Sequence, residues 1–274
     1  MNAPSPARPA TDDPIVQRDD RHGIAFVVLN RPDARNALSA AMLHALTQTL
    51  AGIAADPKVR AVVIAANGPG FCAGHDLREI TERRKDADGG LAYTKELMDS
   101  CSAMMMSIHR MPQPVIAAVE GPASAAGCQL VAACDLAIAS QSAKFATPGV
   151  HIGLFCSTPM VALSRNVSPK HAMEMLLTGE LVSTEEAYRI GLINRVVPQG
   201  TAREEAYNLA MKMTTKSALT IKLGKEAFYR QLDMTLPEAY RYTGQVMIMN
   251  MMTCDAEEGI SAFVEKRTPT WEDR

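Results

Sequence analysis

No apolar run in these 274 residues approaches the roughly 20 needed to span a bilayer. An excess of charge is also missing. Lys and Arg number 28 against 30 Asp and Glu, and the formal net charge of −2 gives neither nucleic acid nor an anionic membrane a reason to bind. No C-x-x-C pair occurs among Cys72, Cys101, Cys128, Cys134, Cys156 and Cys254, and the histidines show no metal-ligand spacing. That argues against a zinc site and for reduced, mostly structural thiols. Three chemical signatures are absent as well: the G-x-x-x-x-G-K-[ST] phosphate loop, a G-x-G-x-x-G after a strand, and the G-x-S-x-G serine elbow. The first fourteen residues hold no hydrophobic segment, which excludes a secretory signal. Their Pro, Ala and Asp content predicts a disordered leader over 1–14, and the expected location is cytoplasmic.

What is present is apolar material, 47% of the chain, with 21% charged residues. That suits one large α/β domain or two small ones. The first half alternates strand and helix signals. Residues 24–29, 62–66, 115–119 and 136–139 are short apolar runs closed by turn residues, and read as strands. Met42, Leu43, Leu46, Leu50 and Ile53 recur at helical spacing, a longer helix is expected over 91–109, and small residues over 123–134 suit a tightly packed one. Nearly continuous apolar strands separated by helices predict buried, largely parallel pairing. From about residue 158 the pattern is mainly helical. A core over 15–200 followed by a helical region over 201–274 is the expected organisation. Seventeen methionines, many in 104–106 and 247–252, are expected to fill core and subunit interfaces rather than line an acyl channel.

Two loops after apolar strands could frame one site. Phe71-Cys72-Ala73-Gly74-His75-Asp76-Leu77 follows the second strand, and Gly121 to Gln129 follows the third. Small side chains there let backbone amides approach a ligand, and two amides aimed at one oxygen form an oxyanion hole. On composition alone, close packing explains such small residues equally well.

These segments, in order, resemble the crotonase (enoyl-CoA hydratase/isomerase) superfamily. The motifs are Leu29-Asn30-Arg31-Pro32 with Asn36-Ala37-Leu38, the 71–77 loop, Pro114 to Gly121, Asp135 after Cys134, Leu177-Thr178-Gly179, Gly191-Leu192-Ile193, and Ala262-Phe263-Val264-Glu265-Lys266-Arg267. The likeness runs from about residue 22 to the C-terminus, and within the superfamily it is strongest to the enoyl-CoA hydratase domain-containing 3 type. It implies a spiral of ββα repeats with a C-terminal helical trimerisation region, a homotrimer or dimer of trimers, and fatty acyl-CoA as ligand. Coenzyme A would be part of the substrate, with no prosthetic group and no metal. By motif match the oxyanion amides belong to His75 and Ala126. The coenzyme A contacts fall on Ala34, Arg35, Ala73, Asp76, Leu77 and Arg78, with Phe263 and Lys266 matching the positions that reach the adenine and phosphates.

The chain departs from the family where hydration is catalysed. The family's two glutamates correspond to Gln129 and Gly149. Gln129 can hold a water but cannot titrate usefully, and Gly149 offers nothing. Each acid–base group typically contributes about 10²–10⁴-fold, so weak hydration is expected. His151 and the His75 ring are substitutes of lower standing, and Asp76 either acts as a carboxylate or braces its loop. Restoring both positions, Gln129→Glu with Gly149→Glu, is expected to raise hydratase activity. Three functions stay open: a hydratase or isomerase with another acid or base, a non-catalytic acyl-CoA-binding or regulatory protein, and a crotonase-type decarboxylase or thioesterase.

Overall fold

A computed structural model describes residues 13–274, so the expected leader lies almost wholly outside the described residues. In chain order the strands are β1 (Val16–Arg21), β2 (Ile24–Leu29), β3 (Ala61–Ala66), β4 (Val115–Val119), β5 (Ala123–Ser124), β6 (Leu136–Ser140), β7 (Lys144–Ala146), β8 (Val182–Ser183) and β9 (Arg195–Val197). The helices are α1 (Ala40–Ala54), α2 (Leu77–Arg83), α3 (Leu91–Arg110), α4 (Ala126–Ala133), α5 (Pro159–Asn166) and α6 (Pro169–Thr178), then α7 (Thr184–Arg189), α8 (Ala202–Thr214), α9 (Ala218–Gln231), α10 (Leu236–Met251) and α11 (Cys254–Glu265).

Six strands form the main sheet in the order β1-β2-β3-β4-β6-β9. All its pairings are parallel except β1 with β2. The parallel strands therefore match the buried apolar runs of the sequence. Alternation across the pleat divides them between two cores. Ala25, Val27, Val62, Ile64, Val115 and Ala117 face α1, α3 and α4. Ile24, Val63, Ala65, Ile116 and Ala118 face α8, whose Ala202, Ala206 and Ala210 repeat every four residues and are fully buried. Methyl side chains at that spacing let the helix axis come close to the sheet. So α8 completes the second face of the core, and the expected 201–274 region begins to stand apart only after it.

The edge strand β1 gave no apolar signal, because its sequence is VQRDDR. Its charges are held in pairs: Arg18 with Asp20 at 2.6 Å and with Asp56 at 2.9 Å, and Arg21 with Asp19. Charged edges of this kind discourage further strand addition. A second, smaller sheet has the order β5-β7-β8 and was also unread from sequence. It corrects the expected 123–134 helix. Ala123 and Ser124 are extended and pair in parallel with Phe145 and Ala146, and α4 starts only at Ala126. The switch is made at Ala125, whose φ of 50° lies in the region L-residues rarely enter.

Helices α9 to α11 bury little of themselves. Their buried residues are Ala227, Ala239, Asp255 and Ala262, while Met247, Ile248, Met249, Met251, Met252 and Phe263 are exposed. By contrast Met42, Met104, Met105 and Met175 are core residues, as expected of methionine in irregular gaps. The arm is pinned to the core by Lys225, whose ammonium donates to the carbonyls of Ile108 and Gln113 at 2.8 Å and to Asp135 at 2.6 Å. Asp135 also accepts from the Tyr229 hydroxyl and the Val115 amide, so its role is structural. Among the described residues no helix is long and apolar enough to cross a membrane.

Candidate active site

The loop after β3 is stitched on both sides. Toward residues 31–38, the Ala73 amide donates to Arg35 O at 3.0 Å, the Leu38 amide to Gly74 O at 2.7 Å, and the Asp76 amide to Leu38 O at 3.4 Å. Toward β5, the amides of Phe71 and Cys72 donate to Pro122 O, and the Ser124 amide donates to Cys72 O. The two loops singled out in the sequence are thus direct neighbours. Gly74 marks their closest approach. Its φ is +92°, and a Cβ there would lie 2.9 Å from Ala125 Cβ and 3.3 Å from the Ala126 nitrogen. Gly127 is needed for the same reason, since a Cβ on it would meet Cys72 O at 2.1 Å.

Among the donors this stitching leaves over are the amides of His75 and Ala126. Leu38 bonds to the backbone of Gly74 and Asp76, which turns the intervening His75 amide the other way. Ala126 is the first residue of α4, so its amide has no acceptor within the helix. Among the described residues neither N–H has a hydrogen-bond acceptor in the chain. They sit on the two segments that Gly74 brings into contact.

Around them, Arg35, Ala73, Leu77 and Arg78 form an exposed rim, with Ala34 beside them partly buried. Asp76 is not available to a ligand as a free carboxylate. It caps α2 through the Arg78 and Glu79 amides and pairs with Arg31 at 2.8 Å. Burial works to raise its pKa, but Arg31 and the amides outweigh it and hold the carboxyl below its usual range. Of the two roles weighed for Asp76, bracing the loop is the one the geometry supports. Phe263 and Lys266 are exposed at the end of α11, packed beside α10 and the C-terminal tail.

The positions of the two family glutamates differ in kind. Gln129 lies one turn beyond Ala126 on α4, is only 5% exposed, and its Oε1 has no partner. Gly149 is buried in the short 3-10 turn Pro148–Ile152, where a Cβ would lie 2.8 Å from Leu154 O and 3.0 Å from Cys156 Sγ. A side chain there is crowded from its first carbon, so Gly149→Glu would have to displace the Leu154 carbonyl or its surroundings before it could rebuild the missing pair. Cys156 is a packing residue against that turn, and burial pushes its thiol pKa up.

His151 lies in the same 3-10 turn as Gly149. It is exposed, and its Nε2 lies 3.3 Å from Gly179 O. The His75 ring is half-buried, and burial pushes its pKa down while the hydrogen bond to Leu38 O opposes that. Since a carbonyl only accepts, Nδ1 carries the proton and Nε2 is left bare and without a partner. Sequence reasoning missed Thr147, which is fully buried and whose hydroxyl has no partner among the described residues. Its one signal is a lone hydroxyl between Phe145-Ala146 and Pro148-Gly149. An open cleft of about 610 Å³ lies elsewhere, among Arg21, His22, Phe26, Arg203 and Tyr207. Its polar groups are tied to one another, His22 to Tyr207 at 2.8 Å and Arg21 to Asp19, and it holds none of the residues named from sequence. Among the described residues no group of three or more His, Cys, Asp or Glu side chains is placed to hold a metal.

The largely parallel sheet flanked by helices is a crotonase-type fold. The family model described as enoyl-CoA hydratase/isomerase matches residues 19–274, and the chain belongs to that family. Members act on coenzyme A thioesters, with coenzyme A part of the substrate. A mycobacterial structure described as the enoyl-CoA hydratase of Mycobacterium smegmatis superposes with a TM-score of 0.90 at 48% identity, covering 94% of this chain and 99% of that one. The human enoyl-CoA hydratase domain-containing protein 3 structure gives a TM-score of 0.89 at 45% identity, covering 94% and 100%. The rat protein of that name is 46% identical over 97% of this chain and 87% of its own length. The rat, Xenopus laevis and human relatives are all named mitochondrial, which overturns the cytoplasmic location expected from the sequence.

Proposed function

We propose that this protein binds fatty acyl-CoA thioesters and polarises the thioester carbonyl between the amides of His75 and Ala126, while hydrating enoyl-CoA poorly. The observation that carries this is the pair of unpaired N–H groups on touching loops. Donors fixed in place before the ligand arrives need no reorganisation to stabilise an enolate oxygen. Arg35 and Arg78 on the rim suit the phosphates of coenzyme A, with Ala34, Ala73 and Leu77 along its bent chain. The exposed apolar face of α9 to α11 is read as a trimerisation surface, through which Phe263 and Lys266 of one subunit reach the rim of the next.

Hydration needs a base to activate water and an acid to protonate the α-carbon. Gln129 and Gly149 supply neither, and a Cβ at Gly149 would already press on Leu154 O at 2.8 Å. The direct test of the amide pair compares a thioester with the matching thioether, which lacks the carbonyl oxygen. Two hydrogen bonds worth about 0.5–1.5 kcal/mol each give the thioester a roughly 5- to 150-fold lower Kd. Equal affinities would sink the proposed hole.

A further inference from the structure

Helix α11 is followed by a lysine at a position that ordinarily takes glycine. Lys266 has φ 57° and ψ 39°, the left-handed conformation, and its amide donates to Phe263 O at 3.3 Å. The Arg267 amide closes the same turn on Ala262 O at 2.9 Å. Helices commonly end on such a residue, and glycine is favoured there because it has no Cβ to clash. Helix α6 follows that habit and ends on Gly179 at φ 64°. A non-glycine residue persists in this conformation when its surroundings over-determine it.

Glu258, two turns earlier on α11, supplies that constraint. Its Oε1 accepts from Arg267 Nη1 at 2.6 Å and from the Thr270 amide at 2.8 Å, and its Oε2 accepts from Arg267 Nη2 at 2.8 Å. A guanidinium fork on a carboxylate fixes direction as well as distance. Arg267 Nε also donates to Glu265 at 2.6 Å, so the residues on both sides of Lys266 are tied together. Beyond Thr270 the chain stays fastened: Trp271 Nε1 donates to Thr215 O at 2.8 Å, and the Glu272 and Asp273 amides donate to the buried Asp255 carboxylate. The Lys266 ammonium takes no part in these bonds and stands exposed near Phe263, which is 84% exposed. The clamp therefore fixes the backbone of a lysine and leaves its charge free.

We propose that Glu258 is a positioning residue for coenzyme A: by clamping Arg267 and Thr270 it holds Lys266 in the conformation that presents its ammonium to the coenzyme's phosphates. This rests on the reading above, in which Lys266 of one subunit reaches the rim of the next. Calorimetric titration of the full chain with butanoyl-CoA, and with butanoyl-pantetheine, which lacks the nucleotide and every phosphate, tests it. Lys266→Ala should raise the butanoyl-CoA Kd about tenfold, as expected for one lost charge-assisted hydrogen bond. The nearly isosteric Glu258→Gln cannot accept the fork, and should raise that Kd about fivefold. In the Lys266→Ala background Glu258→Gln should cost nothing more, because it acts only through the lysine. Butanoyl-pantetheine should bind every variant within about twofold of the parent, and sedimentation should be unchanged. Glu258→Gln binding butanoyl-CoA like the parent while Lys266→Ala does not, losses that multiply in the double variant, an equal loss with butanoyl-pantetheine, or altered sedimentation of Glu258→Gln would each overturn the positioning role alone. Lys266→Ala binding butanoyl-CoA as tightly as the parent would overturn the reading that Lys266 reaches the coenzyme, and the positioning role with it.

Discussion

Replacing Gly149 by alanine adds one methyl group, and the structure says where it would go. Its Cβ would lie 2.8 Å from Leu154 O, 3.0 Å from Cys156 Sγ and 3.3 Å from the Cys156 nitrogen. Two of these three are backbone atoms, so rotating a side chain aside cannot relieve the contact. Overpacking of this kind costs typically 1–3 kcal/mol, and a rigid backbone neighbour puts Gly149→Ala at about 2–3 kcal/mol. Gly52 supplies the control. It lies on the exposed face of α1 with nothing within 4 Å of a built Cβ, so Gly52→Ala should stabilise by roughly 0.5–1 kcal/mol. Urea denaturation of the two variants beside the parent should therefore give shifts of opposite sign. Gly149→Glu should be less stable still, and adding Gln129→Glu should not raise hydratase activity. A Gly149→Ala variant as stable as the parent would refute the closed wall at this position and reopen the route to a second carboxylate.

Other consequences are as direct. Lys225→Met would leave Asp135 and the carbonyls of Ile108 and Gln113 without their shared donor, and breaking a buried pair from one side costs about 3–5 kcal/mol; a loss below about 1 kcal/mol in urea would contradict the anchoring role. Burial holds the imidazoles of His75 and His109 below their ordinary value near 6.5, so the unfolded chain takes up those protons first as pH falls. Stability should be level above about pH 6.5 and decline below it, by up to about 1.4 kcal/mol per pH unit for each histidine, whereas stability rising from pH 7 to 5.5 would reverse the sign of this argument.

Much of this was legible in the chain itself. The apolar runs that became β2, β3, β4 and β6 carried the parallel sheet, because strands buried on both faces have no polar alternation to confuse the pattern. β1 escaped because its stability comes from paired charges along an edge, which read as solvated loop. The start of α4 was misplaced for a related reason. Alanine and serine fit strand or helix alike, and only pairing with β7, from farther along the chain, decides for strand at Ala123 and Ser124. At the candidate site, motif matching sets Gln129 and Gly149 against the family's two glutamates, but the crowding at the second position was not visible. That crowding comes from Leu154 and Cys156, and no local pattern records which backbone will cross a glycine. Thr147 was passed over because a single hydroxyl in an apolar stretch ordinarily bonds its own backbone; here it has no partner among the described residues.

The central claim, a thioester site that has kept its amides and lost its acid–base pair, is tested most directly by one paired measurement. Crotonyl-CoA binding and crotonyl-CoA hydration are followed on the same sample, beside a family hydratase carrying both glutamates. The account predicts saturable binding with hydration at least about 10²-fold slower than that enzyme. Binding accompanied by turnover at the comparison enzyme's rate would contradict it.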